Sequence, residues 1–193
     1  METREDFLAL YNTPPTSFAS TYPDVPAPDP PHSPYLLAAR WSAHDLHGEE
    51  IPSIAADLLE AGFDTPATRR LAGELNVSSS SDVEALLERM FREFAIRYPL
   101  PKTDAKLIVS RQIAREVIAG IRNPWVAANK LELSIWNWDA PNTTLGQIFG
   151  INGAIDVEPM YRPTLEVLQK ELLDSFADLA RLTDEDLPQI KVP

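Results

Sequence analysis

Two histidines in a predicted helix could bind a metal ion together. His44 and His47 stand three residues apart, which places both imidazoles on one helical face. Carboxylates close by in the sequence, Asp45, Glu49 and Glu50, could complete the ligand shell of a metal-dependent hydrolase. The pattern lacks the glutamate between two histidines at i and i+4 that marks a metalloprotease helix, and no further histidine or cysteine stands at ligand spacing. A solvated helix end is the competing interpretation.

The chain lacks the short motifs of the common catalytic chemistries. It contains no cysteine, which excludes thiolate nucleophiles, disulfides and iron–sulfur clusters. Gly-x-Ser-x-Gly is absent, and Gly146, Gly150 and Gly153 neither follow a predicted strand nor lead to the Lys-Ser/Thr ending of a phosphate-binding loop. We therefore predict no cofactor and no catalytic residue, and we favour a non-enzymatic protein over an enzyme.

Tryptophan is the residue type that stands out. Trp136 and Trp138 enter a loop rich in proline and glycine, Asp139 follows them, and Trp125 lies one helix upstream. Tryptophan often anchors protein interfaces because it buries a large area at low entropic cost. These four residues are our candidate binding residues, either for a protein partner or for a small ligand in a tryptophan-lined pocket. The competing interpretation is that the rings fill the core beneath the loop.

The chain is strongly acidic. Its 193 residues include 17 Lys and Arg against 29 Asp and Glu, a formal net charge of −12. A protein that neutralises phosphates needs an excess of cations, so we predict no nucleic-acid partner. An acidic surface accelerates capture of a basic protein by electrostatic steering. We therefore predict an acidic protein-interaction module, of which an immunity- or antitoxin-like inhibitor is one concrete form.

The sequence carries no signal for a membrane. No apolar run approaches the ~18 residues of a membrane-spanning helix. The opening Met-Glu-Thr-Arg-Glu-Asp differs from a signal peptide, which places a positively charged region before an apolar one. We therefore expect a cytoplasmic protein without a membrane partner. The sequence does not determine its oligomeric state.

Proline divides the chain into two predicted parts. Eight of the 18 prolines lie before Tyr35, and proline fixes φ and removes an amide donor. We therefore predict that residues 1–34 form an extended, proline-rich leader and that residues 35–193 form one helical domain. Within that domain, apolar periodicity and capping residues predict an all-α bundle of six or seven helices, with a capping box at Ser81 and Glu84. These helices are expected near 36–48, 52–61, 65–76, 81–97, 103–120, 124–136 and from 164 onward.

One stretch resembles a module of known helical proteins. Residues 51–74 read IPSIAADLLEAGFDTPATRRLAGE, an acidic helix that leads through a Gly-aromatic-Asp turn into Thr-Pro-Ala. This resembles a recurring module of small, uncharacterised, mostly actinobacterial proteins, with Thr68 where leucine is usual. The later order of helices is also similar, so the resemblance spans about two thirds of the chain, from Leu36 to Asp156. It implies an all-helical fold and a bacterial cytoplasmic protein, and it supplies no catalytic residue.

Overall fold

The protein is helical throughout the residues that the structure describes. The structure is a computed structural model, and it describes residues 3–154, 157, 161 and 163–187. Within these ranges there are nine α-helices and no strand, so the predicted all-α class is confirmed, although we expected six or seven helices. The helices are α1 (Arg4–Tyr11), α2 (Pro34–Ser42), α3 (Ile51–Glu60), α4 (Pro66–Ala72), α5 (Ser81–Glu93), α6 (Lys102–Ile118), α7 (Pro124–Asn129), α8 (Thr143–Gly153) and α9 (Leu165–Ala180).

Shorter helical segments complete the described part. A π-helix, Lys130–Trp136, continues directly from α7, and 3₁₀ turns form at Gly48–Glu50 and Asp184–Asp186. None of the helices in the described ranges is both long enough and apolar enough to cross a bilayer.

Contacts divide the chain into two compact units, where we predicted a leader and one domain. The terminal unit comprises Met1–Pro28 and Ser110–Leu187. The central unit comprises Asp29–Val109, and the division falls within α6. The units are named for their place in the sequence.

α3 and α4 form a helical hairpin in the central unit. α3 ends in a turn at Gly62, whose φ of +89° favours glycine, and Thr65 then caps α4 with Pro66 in its first turn. Leu58 and Leu71 are fully buried where the two helices pack together. The hairpin that we predicted from the sequence is therefore present, although α4 ends at Ala72.

The start of α5 differs from the predicted capping box. Ser80, not Ser81, is the N-cap, and its side chain makes no capping hydrogen bond. The Asp82 carboxylate instead accepts hydrogen bonds from the backbone amides of Ser78 and Ser79, at 3.0 and 2.9 Å. The predicted box was wrong because the carboxylate of Asp82, two residues before Glu84, accepts from the amides that precede the helix. Glu84 is left without an ion pair or hydrogen bond to the described residues.

The predicted leader contains a helix that belongs to the terminal unit. α1 is capped by Thr3 and Asp6, and Phe7 is completely buried edge-to-face against Trp125, with 4.6 Å between ring centroids. The leader was predicted from its prolines, but the residues before Pro14 contain none. That prediction therefore had no basis for the part of the chain that forms α1. The segment that follows α1 contains turns at residues 19–21 and 23–24, and the Phe18 amide donates to the Ile118 carbonyl at 2.8 Å.

α8 occupies a region that we predicted as loop with only a short turn. Its three glycines, Gly146, Gly150 and Gly153, argued against a helix because glycine lowers helix stability. They recur at i, i+4 and i+7 and so share one face, whereas Leu145 and Ile148 are fully buried on another. Burial of this apolar face stabilises the helix more than the glycines destabilise it.

α9 ends against the basic residues of α6 that belong to the same unit. Arg115 donates from Nε to the Ala180 carbonyl at 3.1 Å, and Arg111 donates to the Asp184 carboxylate at 2.7 Å. Both guanidinium groups are buried and lie at the negative end of the α9 dipole. These contacts place the positive charges of Arg111 and Arg115 against acceptors of the same unit.

Candidate functional site

Two of the four candidate binding residues are part of the core. Trp125 is 1% exposed beneath Phe7, and Trp136 is 4% exposed, with its Nε1 donating to Ser110 Oγ at 2.9 Å. Neither ring is available at the surface of the terminal unit. For Trp125 and Trp136 the competing interpretation, that the rings fill the core, is therefore the one the structure supports.

The other two residues form an exposed turn after the π-helix. Asn137 and Trp138 both adopt left-handed backbone conformations, with φ of 48° and 67°, and the Trp138 amide donates to the Glu132 carbonyl. The turn leaves the Trp138 side chain 65% exposed beside the exposed Asp139. Leu133, on the preceding helical turn, is also exposed. This arrangement presents an apolar ring next to a carboxylate, which suits an interface residue.

The π-helix also holds a buried carboxyl group that our sequence reasoning missed. Glu132 is 1% exposed and accepts a hydrogen bond from Asn152 Nδ2, while the Tyr11 hydroxyl donates to Asn152 Oδ1 at 2.7 Å. Glu132 Oε1 has no hydrogen-bond partner among the described residues. Burial raises the pKa of Glu132, and the hydrogen bond from Asn152 opposes that rise. π-Helical turns are frequent at functional sites.

The terminal unit has an open cleft between α8 and α9. It encloses about 660 Å³. Buried apolar side chains of Ile151, Ala154 and Leu168 line it from both helices. Along α9, carboxylates recur at i, i+3 and i+7 in the same lining: Glu171, Asp174 and Asp178.

Two of these carboxylates are held by neighbours, and the third is not. Asp174 accepts from the Tyr22 hydroxyl at 2.8 Å and from Lys170 at 2.7 Å, which lowers its pKa. Asp178 pairs with Arg181 at 2.7 Å. Glu171 forms no side-chain hydrogen bond or ion pair with the described residues. The cleft therefore combines an apolar lining with negative charge that exposed cations only partly offset.

The histidine pair does not lie on a helix. α2 ends at Ser42, and His44 follows in a left-handed conformation with φ of 59°. His47 precedes the 3₁₀ turn, where its amide donates to the Glu50 carboxylate at 2.7 Å. The i,i+3 argument for a shared metal therefore no longer applies. Among the described residues, no group of three or more His, Cys, Asp or Glu side chains is placed to hold a metal ion.

Comparison with known proteins adds no relative. No protein-family model, no curated protein and no solved structure matches this chain. The resemblance of residues 51–74 to an uncharacterised helical family therefore stays a prediction. Function has to be argued from the surfaces described above.

Proposed function

We propose that this protein is a non-enzymatic interaction module that binds a basic, amphipathic segment of another protein in the cleft between α8 and α9. The observation that carries the proposal is the combination of lining groups. Apolar side chains lie at the base, and Glu171, Asp174 and Asp178 follow one another along one face of α9. A helix with aliphatic residues on one face and lysine or arginine beside them complements both the apolar lining and the negative charge of such a cleft.

The charge of the whole chain supports the same choice of partner. A net charge of −12 steers a basic partner toward the protein and repels an acidic one. The ion pairs at the cleft are exposed, and exposed pairs are worth only about 0–1 kcal/mol. A partner's cations can therefore replace Lys170 at Asp174 and Arg181 at Asp178 with little loss. An immunity- or antitoxin-like inhibitor is one concrete form of this function.

The proposal is tested with two synthetic peptides of opposite charge. One is an amphipathic helix of leucine and lysine, and the other has the same leucines with glutamate in place of lysine. We expect saturable binding of the lysine peptide only, measured by fluorescence anisotropy, with affinity that falls as salt is added. Equal binding of both peptides would mean a merely apolar surface and would contradict the proposal.

A matched pair of variants locates the binding. Glu171→Gln removes the unpaired carboxylate of the cleft, and Glu166→Gln removes an exposed carboxylate of the same helix that does not line it. We expect Glu171→Gln to weaken binding of the lysine peptide about three- to fivefold and Glu166→Gln to leave it unchanged, because one partly exposed ion pair contributes ~1 kcal/mol or less. Equal effects of the two variants would place binding elsewhere on the acidic surface.

The exposed Trp138 turn is a second surface that such a partner can contact. Tryptophan is enriched among the interface residues whose truncation costs about 2 kcal/mol or more. Trp138→Ser would therefore weaken binding of the natural partner by more than tenfold if the turn is part of the interface. An unchanged affinity would restrict the interface to the cleft.

A further inference from the structure

The central unit contains a second cavity that is unrelated to the interaction surfaces above. It encloses about 370 Å³, toward the lower end of the ~300–1,000 Å³ range of small-molecule sites. It lies between the end of α2, the start of α5 and the segment that precedes α6. The lining residues are Trp41, Ser42, His44, Leu46, Ser80, Glu84, Tyr98, Pro99 and Leu100.

The aromatic part of the lining is held in place by its neighbours. Tyr98 packs on Phe91 with 4.9 Å between ring centroids, and Trp41 donates a hydrogen bond toward the Tyr98 hydroxyl. The Leu100 amide donates to Ser42 Oγ at 3.3 Å, which ties the segment after Tyr98 to the end of α2. These two aromatic side chains are therefore positioned before any ligand binds.

The turn that carries His44 is fixed as well. Arg40 donates to the Asp45 carboxylate at 3.0 Å across the turn, and the Asp45 amide donates to the Arg40 carbonyl at 2.9 Å. His44 between them has a φ of 59°, a conformation that costs a non-glycine residue free energy and persists only where surrounding contacts impose it. The wall of the cavity on this side is thus preformed.

The lining of the cavity contains one carboxylate, Glu84. Glu84 is exposed in the first turn of α5 and has no ion pair or hydrogen bond to the described residues. Burial raises the pKa of the Tyr98 hydroxyl, the negative charge of Glu84 raises it further, and the charge of Glu88, outside the lining, adds a smaller effect. The described lining contains no lysine or arginine that would neutralise Glu84.

We propose that this cavity binds a small organic cation, a protonated or quaternary amine, against the rings of Trp41 and Tyr98 with Glu84 as its counter-ion. Aromatic faces attract cations through their quadrupole, most strongly for tryptophan, and such sites recognise quaternary ammonium groups. The nearby carboxylate adds direct charge attraction. The size of the cavity restricts the ligand to a small molecule.

Choline and its uncharged isostere 3,3-dimethylbutan-1-ol test the proposal. The two molecules have the same shape, so a difference in affinity reports the charge alone. We expect choline to bind at least about tenfold more tightly than the alcohol, measured by titration calorimetry or ligand-observed NMR. Equal affinities would mean an apolar cavity, and no saturable binding of choline up to ~10 mM would mean no cation site. Either result would overturn the proposal.

A matched pair of variants separates this site from the general acidity of the chain. Glu84→Gln should reduce the advantage of choline over the alcohol to what the aromatic rings alone supply, whereas Glu60→Gln, an exposed carboxylate at the end of α3 and outside the lining, should preserve it in full. Both side chains are exposed, and circular dichroism checks that each variant folds. Loss of choline binding in both variants would indicate non-specific attraction and would also refute the assignment.

Discussion

Replacing the buried Glu132 by glutamine should change how the free energy of unfolding depends on pH. Burial raises the pKa of this carboxyl group above its usual value of 4.5, and the hydrogen bond from Asn152 only partly opposes the rise. The unfolded chain therefore loses this proton at lower pH than the folded protein does. Stability contributed by protonated Glu132 is complete below the unfolded pKa and is lost as the pH rises through the folded pKa.

The expected size follows from the linkage between proton binding and folding. Inside the window between the two pKa values, one group changes the free energy of unfolding by up to about 1.4 kcal/mol per pH unit. Glutamine keeps an oxygen that can accept from Asn152 but has no charge to desolvate. The stability of Glu132→Gln relative to the parent protein should therefore rise through that window and be constant on either side of it.

Urea unfolding followed by circular dichroism, repeated between about pH 4 and about pH 8, measures this difference directly. Carboxyl groups whose pKa is lowered in the folded protein, such as that of Asp64, act in the opposite direction. They are present in both proteins and cancel in the comparison. Glu166→Gln, an exposed substitution, serves as the control and should show no such rise. A pH-independent difference for Glu132→Gln would refute the assignment of Glu132 as a buried, desolvated acid.

Five further substitutions test other parts of the fold. Gly120→Ala should lower the free energy of unfolding in urea by about 2 kcal/mol or more. The φ of Gly120 is +78°, and an added Cβ would clash with the backbone nitrogen of Ser17. An unchanged free energy would contradict that close approach. Trp136→Ala should lower the free energy of unfolding by about 3–5 kcal/mol, and Trp138→Ala by no more than about 0.5 kcal/mol. Similar losses in the two variants would mean that the two rings do not differ in burial. Phe7→Ala should also lower the free energy of unfolding by about 3–5 kcal/mol. An unchanged melting temperature would mean that α1 does not pack on the rest of the terminal unit. The pKa of Tyr22 is raised to about 12, so an alkaline absorbance titration should show a late tyrosine that Tyr22→Phe removes.

Local signals predicted the helices that begin at a strong cap. Thr164 begins α9, and Asn123 with Pro124 begins α7, both as the sequence indicated. In each case the side chain of the cap accepts a hydrogen bond from an amide two or three residues later. Such caps depend on neighbours in the sequence, so periodicity and residue type suffice to find them.

Features that depend on distant contacts could not be predicted in this way. α1 is stabilised by burial of Phe7 on Trp125, more than 100 residues later in the chain, and α8 by an apolar face that outweighs its glycines. The same limit applies to the candidate site. Nothing in residue type distinguishes exposed Trp138 from buried Trp136, and the burial of Glu132 depends on partners in α8 and α1.

The division of the chain into two units bears on the order of events during synthesis. The described part of the central unit is one continuous segment, Asp29–Val109, so all of its helices up to α5 are translated before the second part of the terminal unit. The terminal unit combines an early and a late segment of the chain, and Asn123 links them by donating to the carbonyls of Leu10 and Thr13. Phe7 is therefore translated well before Trp125, the ring that it packs against in the folded protein. During that interval the ring of Phe7 lacks the partner that covers it in the folded protein, which is the kind of exposed apolar surface that makes incomplete chains prone to aggregate.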